Sequence, residues 1–254
     1  MQVLSNSGRI IISNPFHPLM LVVYFVIFFP AFLIMPSVFS SLSFFIGLPQ
    51  GISILIGLSM PMLSFVFSFM NIVIRRIRLE GFFYTIESRY VYFMGIPFPV
   101  YYPVYQRREI VIAINIGGAV IPITFSALLL ARLYCMSSLY FIDALIVIAI
   151  TSIITFLISR TVPNVGIATP SLIPPLVSGI SALAICGTNY IFPVAYVGGV
   201  LGSLIGADVL RLSKDFSKFT HQLGPVFLSI GGAGTFDGVF LSGIIAAIFA
   251  YIFT

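Results

Sequence analysis

Ile205-Gly206-Ala207-Asp208 and Ser229-Ile230-Gly231-Gly232-Ala233-Gly234-Thr235-Phe236-Asp237-Gly238 are the stretches around which the rest of the chain is arranged. They contain two of the seven acidic residues, and each lies beside a long apolar run. An ionisable side chain at membrane depth is costly, so it marks a functional site by default. The expectation is that Asp208 and Asp237 face each other at the cytoplasmic edge of a helical bundle and act as an acid–base pair.

The composition requires such a bundle. Of the 254 residues, 59% are hydrophobic and only 7% are charged, with a mean hydropathy of +1.15. Soluble domains carry about 25% charged residues, so this chain could not cover a water-facing surface. It reads as one integral membrane domain, 1–254, whose first partner is the lipid bilayer. The net charge of +5 comes from basic residues scattered beside apolar runs, as in membrane topology, and does not indicate nucleic acid. Cys135, Cys186, His17 and His221 have no metal-ligand spacing, and neither metal nor cofactor is expected. No removable signal peptide is expected either. The oligomeric state is open.

A span needs about 20 mostly apolar residues. Seven segments qualify, at roughly 19–38, 52–73, 110–131, 141–159, 172–188, 191–209 and 225–253. With the N-terminus in the cytoplasm, all of the 12 lysines and arginines except Arg132 fall inside. The positive-inside rule therefore gives an all-α, seven-helix protein, N-in and C-out, at the plasma membrane.

The longest loop, 74–109, reads as a cytoplasmic, interfacial flap. Tyr90 to Met94 and Val100 to Tyr105 are aromatic and β-branched around a Gly95-Ile96-Pro97 turn, which is a hairpin signal. Pro97, Pro99 and Pro103 confine the second arm to an edge or to irregular structure. Six of the 12 tyrosines lie here, and tyrosine favours the headgroup level. The flap is either such an interfacial element or an edge on which an extended substrate adds a strand.

Ile-Gly-Gly-Ala occurs twice, at 116–119 after Asn115 and at 230–233. The two copies suggest two helix breaks, the device with which transporters build midplane sites. In span six, Gly198, Gly202 and Gly206 form a small-residue stripe that admits a close neighbour. Asp208 should point away from that stripe, toward a different neighbour.

Depth sets the two aspartates on one level. Asp208 precedes Arg211 by about 4.5 Å of helix, and Asp237 lies roughly 26 Å from Thr254. With a hydrocarbon core about 30 Å thick, both fall near the cytoplasmic edge. A helix from Leu223 to Thr254 would be too long, so the glycines at 231–234 should break it, with helix resuming near Thr235 or Asp237.

Close carboxylates cannot both ionise cheaply, so one keeps a proton. Such a pair can activate water against a peptide carbonyl and protonate the leaving amine. Gly232, Gly234, Thr235, Asn115 and Tyr196 are the candidate supporting or substrate-binding residues. Other readings remain open. Asp237 could cap helix seven, and Asp208 could pair with Arg211. Either aspartate could bind a proton or cation in a transporter, or the protein could be a scaffold without a site.

The stretches from Ala113 to Pro122, Ala195 to Val197, Leu204 to Asp208 and Gly231 to Gly238 resemble an uncharacterised family of archaeal and bacterial membrane proteins, the domain-of-unknown-function family numbered 1614. That family implies no activity. A weaker resemblance is to presenilin-type and prepilin-type aspartyl proteases. In that class one aspartate lies on an inward-running helix, and a second follows Gly-x-Gly on the next outward-running one. Asp208, Gly232-Ala233-Gly234 and Asp237 follow this order. Thr235 and Phe236 intervene before Asp237, Ala207 replaces a tyrosine, and Pro170-Ser171-Leu172 lies upstream of the position where that class has Pro-Ala-Leu. The resemblance implies a membrane-anchored protein or peptide substrate, cleaved near the cytoplasmic leaflet without metal or cofactor.

Overall fold

The computed structural model describes residues 9–12, 33–93, 96–162, 166–220, 226–232 and 238–254. Their helices, in chain order, are α1 Leu33–Ile46, α2 Gln50–Phe67, α3 Ile116–Met136, α4 Ser138–Ile158, α5 Ile173–Ile185, α6 Ile191–Thr220 and α7 Gly238–Ile252. Four of them, α2, α3, α4 and α6, are long and apolar enough to cross a membrane, and the other three are shorter apolar helices. The chain is therefore a membrane protein, as its composition demands.

The expectation of an all-α fold is corrected by a four-stranded sheet in the order β1-β2-β3-β6. Its strands are β1 Ile10–Ile12, β2 Met70–Phe93, β3 Ile96–Asn115 and β6 Val226–Ile230. A separate small hairpin pairs β4 Arg160–Val162 with β5 Gly166–Ala168. The flap is a hairpin, but it extends past 74–109 into segments expected to be helical. Residues 70–73 and 110–115 are strand, and the last segment begins with β6 before its helix. Fully buried strands are continuous apolar runs that hydropathy does not separate from helix. Ile110, Val111 and Ala113 are such a run, all buried. In the first expected span, residues 19–32 lie outside the described residues, and α1 continues beyond 38 to Ile46.

Helix α6 is the bundle's axis. In its first part, Ile191–Ser203, every residue except Phe192 and Leu201 is buried. A helix that is hydrophobic all round belongs in the centre. Close approach is allowed by glycine. A Cβ on Gly202 would press into Thr151 of α4, and one on Gly199 into the Ser242 carbonyl of α7. The core closes where Phe39 of α1 meets Phe125 of α3, Tyr196 of α6 and Phe240 of α7, with ring centroids 5.3, 5.8 and 5.7 Å away. Burying an aromatic ring contributes on the order of 2–3 kcal/mol.

At the end of the bundle that carries most arginines, α6 changes character. Leu204–Arg211 is π-helical and Leu212–Thr220 is amphipathic. At 1.5 Å per residue α6 is about 45 Å long, more than the hydrocarbon core requires. Its last part leaves the bundle and packs Phe219, with Leu212 and Phe216, onto Ile110, Val226 and Leu228 of the sheet. At the opposite end Arg132 donates from Nε to the Phe45 carbonyl at 3.2 Å, in the last turn of α1.

Candidate functional site

Asp208 lies in the π-helical segment, about 26 Å along α6 from Ile191. Widened turns of this kind recur at functional sites. The glycine stripe of α6 packs on α4, where Gly206 abuts the Ser152 carbonyl and Thr155. Asp208 faces a different neighbour, as its position in the turn predicts. Its Oδ2 accepts the backbone N–H of Gly231 at 2.7 Å. Arg211 does not pair with Asp208. Its Nε lies 2.9 Å from Asp215.

Gly231 belongs to the turn that follows β6. β6 runs parallel to β3, with Ile114 beside Ile230. At that end of the sheet β3 passes through Asn115 into Ile116-Gly117-Gly118 of α3 and β6 passes into Gly231-Gly232, and the two glycine pairs touch. A Cβ on Gly118 would overlap the Gly231 carbonyl, and one on Gly231 would overlap Ala119. Gly231 and Gly232 have φ of 79° and 87°, which disfavours any L side chain. The expected break in the last segment is real at Gly231 and Gly232, and α7 is described from Gly238 onward.

A buried polar network holds this turn. Asn115 caps α3 by accepting the Gly118 N–H at Oδ1, 2.7 Å away. Its Nδ2 donates to the Ser68 carbonyl at 2.5 Å and to Asn71 Oδ1 at 3.1 Å. The Ser229 hydroxyl lies 2.7 Å from the same Asn71 oxygen and 2.5 Å from the Gly232 carbonyl. Asn115 and Asn71 are fully buried. Asn115 and Gly232 thus share one scaffold with the amide that binds Asp208.

Beside Asp208 opens a cleft of about 360 Å³. Its wall includes Thr169, Pro170 and Ser171 before α5, Ser203 of α6 and Gly238 of α7. Pro170 and Ser171, remote from Asp208 in sequence, are thereby its neighbours. Thr169 Oγ1 is 2.7 Å from Ser159 Oγ, and Ser203 bonds back to the Gly199 carbonyl at 2.5 Å. Asp237, Gly234 and Thr235 lie outside the described residues. Tyr196 is not part of this site. It sits about 18 Å up the helix from Asp208, fully buried among Phe39, Phe125 and Phe240. Its hydroxyl has no hydrogen-bond partner among the described residues.

Beneath the cleft the β4–β5 hairpin is latched to the tail of α6. The Thr161 hydroxyl donates to Asp215 Oδ2, and Lys218 Nζ lies 2.9 Å from Oδ1. Asp215 is beyond the hydrocarbon-length part of α6. The Thr161 hydroxyl, then Lys218, with Arg211 assisting, hold its carboxyl down at about 2, below the ordinary 3.8. Near the other end of the bundle, buried Asp143 of α4 accepts the Tyr190 hydroxyl at 2.6 Å. Sequence reasoning assigned neither acid a role. The available signals were a lone acid in an apolar run for Asp143, and Arg211 and Lys218 at i−4 and i+3 for Asp215. Asn71 and Ser229 had no signal beyond their residue type, since their partners are distant in the chain.

No curated protein and no solved structure matches the chain. A family model does, over residues 65–249, which include β2, β3, the glycine turns, the cleft and most of α7. By that match the chain belongs to the family described as Protein of unknown function (DUF1614).

Proposed function

We propose that this protein is an intramembrane aspartyl protease that cleaves membrane-anchored peptides near the cytoplasmic leaflet of the plasma membrane, with Asp208 and Asp237 as the catalytic pair. The observation that carries the reading is that Asp208 and Gly238, the residue following Asp237, line one cleft. The cleft lies where α6 leaves the hydrocarbon-length bundle, at the depth where a peptide bond of a membrane-anchored substrate meets water. In this reading one carboxyl takes a proton from water as it attacks the carbonyl carbon, and the other protonates the leaving amine. The Gly231 amide, bonded to Asp208 Oδ2, orients that carboxyl. Pro170 and Ser171 on the same wall give the weak resemblance to presenilin-type proteases a spatial counterpart. The accompanying topology is seven spans, N-in and C-out, with the sheet and the α6 tail in the cytoplasm, where the arginines belong.

The test is cleavage of a panel of single-span reporter peptides co-reconstituted with the protein, read by mass spectrometry. Asp208→Asn and Asp237→Asn should each abolish cleavage while the variants elute as the wild type does. Cleavage that survives either substitution rejects the pair.

One observation favours a second reading, a proton- or cation-coupled transporter. Of its two expected glycine breaks, the one at 115–118 is instead the junction of β3 with α3, and it meets the turn at Gly231 through Gly118. That reading expects ion-dependent uptake into proteoliposomes, lost in Asp208→Asn, with no peptide cleaved. A scaffold expects neither activity.

A further inference from the structure

The ribbon of β2 and β3 runs far beyond its sheet. β1 pairs only with Ile72, Asn71 and Met70 of β2, and β6 only with Ile110 to Ile114 of β3. The distal part, Phe82 to Phe93 beside Ile96 to Tyr105, is two-stranded. A strand of β3's 20 residues spans about 66 Å if straight. A two-stranded ribbon is marginal in water by itself.

Its two faces differ. The register sets Phe82 opposite Arg107, Tyr84 opposite Tyr105, Ile86 opposite Pro103 and Ser88 opposite Tyr101. Side chains alternate along a strand, so Phe82, Ile86, Tyr101 and Tyr105 share one face. They are exposed by 66%, 68%, 68% and 73%, against 50% for Phe98 and 47% for Val100 on the other face. Glu87 and Arg89, the distal part's only charged residues, pair with Tyr102 and Val100 in the alternate rows. The aromatic face, with Arg107 as its one charge at the base, is thus the more open of the two, the reverse of a water-facing ribbon.

We propose that this face docks on the headgroup layer of the protein's own bilayer, at the basic end of the bundle. Three observations single out lipid as the occupant. The ribbon is continuous with the membrane-embedded surface, because β2 follows α2 across Ser68-Phe69 and β3 leads directly into α3. A register shift between Arg78 and Phe82, with Gly81 at φ 102°, bends the ribbon where it leaves the sheet, as bulges do. Charge is complementary: residues 74–109 carry six arginines against three glutamates, mostly at the ribbon's base, which suits anionic headgroups around an aromatic belt. Pro97, Pro99 and Pro103 have no N–H to offer another strand, which disfavours a protein partner on the β3 edge.

The test uses the unmodified protein in nanodiscs of phosphatidylcholine and phosphatidylglycerol, with a water-soluble tyrosine-iodinating reagent and mass spectrometry. Standing in water, Tyr101 and Tyr105 would react faster than half-buried Tyr102. Docking inverts that order, with Tyr101 and Tyr105 modified several-fold less than Tyr102. A second measurement places single cysteine labels at Tyr101 and Tyr102 in a background lacking Cys135 and Cys186. Spin-labelled lipid should quench the fluorophore at 101 and not the one at 102. Tyr101 and Tyr105 reacting first would overturn the proposal. So would protection that follows protein concentration rather than lipid, which would assign the face to a second copy. Neither result bears on peptide cleavage, so this inference and the protease reading fail separately.

Discussion

Asp208 and Gly231, 23 positions apart, are joined by a 2.7 Å hydrogen bond from the Gly231 backbone N–H to Asp208 Oδ2. It fastens the one acidic residue of the π-helical turn to the glycine break that precedes α7.

That bond separates two substitutions. Asp208→Asn keeps an oxygen acceptor and should cost less than about 1 kcal/mol of stability. Asp208→Ala leaves a part-buried amide unpaired and should cost about 1–3 kcal/mol. Thermal unfolding in detergent measures both. Equal losses would mean that the amide bond is immaterial to the turn, whereas cleavage, if the proposed function holds, disappears in both variants.

The contact between the two glycine pairs gives a second expectation. Gly118→Ala drives a methyl into the Gly231 carbonyl, and Gly231→Ala adds a positive φ to the same collision. Each should destabilise by about 1–3 kcal/mol through strain and displaced packing. Gly51→Ala in α2, where a Cβ meets nothing within 4 Å, should be neutral or stabilising by up to about 1 kcal/mol. Melting temperatures of the three variants decide it; a stable Gly118→Ala would show that the turns are not in contact.

Asn115 couples those turns to the ribbon. Asn115→Ala removes the α3 cap, worth about 1 kcal/mol, and the buried donor to Asn71 and the Ser68 carbonyl, worth about 1–3 kcal/mol more. Amide exchange should quicken at Gly118. A change confined to the distal ribbon would contradict the network.

Asp215 makes the latch pH-sensitive. Its carboxyl titrates lower in the folded protein than unfolded, so its contribution is fully present above about pH 4 and is lost as pH falls toward about 2. Exchange at Thr161 and in the β4–β5 hairpin should rise over that window. In Asp215→Asn the rise should be absent, with the hairpin already loosened at neutral pH. An unchanged pH profile in that variant would remove Asp215 from the latch.

Asp143 and Tyr190 bind α4 to the start of α6. Tyr190→Phe should cost about 1–3 kcal/mol by leaving the Asp143 carboxylate without this donor. Adding Asp143→Leu should recover part of that loss, which a double-mutant cycle reads directly.

Hydropathy alone made the bundle legible, because hydrocarbon excludes unpaired backbone and charge. The glycines at 231–232 and the orientation of Asp208 away from the Gly198–Gly206 stripe were legible too, being consequences of local backbone freedom and helix period. The sheet was only half visible. Tyr90 to Tyr105 showed aromatic and β-branched residues around a glycine turn, whereas Ile110 to Ile114, with Ile110, Val111 and Ala113 buried, looked like helix. Tyr196, expected among the supporting residues, is kept from the site because a helix rises about 18 Å over the 12 residues to Asp208.

What the sequence determined by itself is the solvent this chain folds in, the apolar helices that solvent requires, and the place where the last segment must break. Those properties are carried by composition, period and single-residue conformational range, all local along the chain. Only tertiary packing decided that Gly118 meets Gly231, that Gly231 holds Asp208, and that Pro170 and Ser171 complete its cleft. Such contacts join segments up to 113 residues apart, and they arise from glycine surfaces and buried hydrogen bonds that fit only once α6 is enclosed.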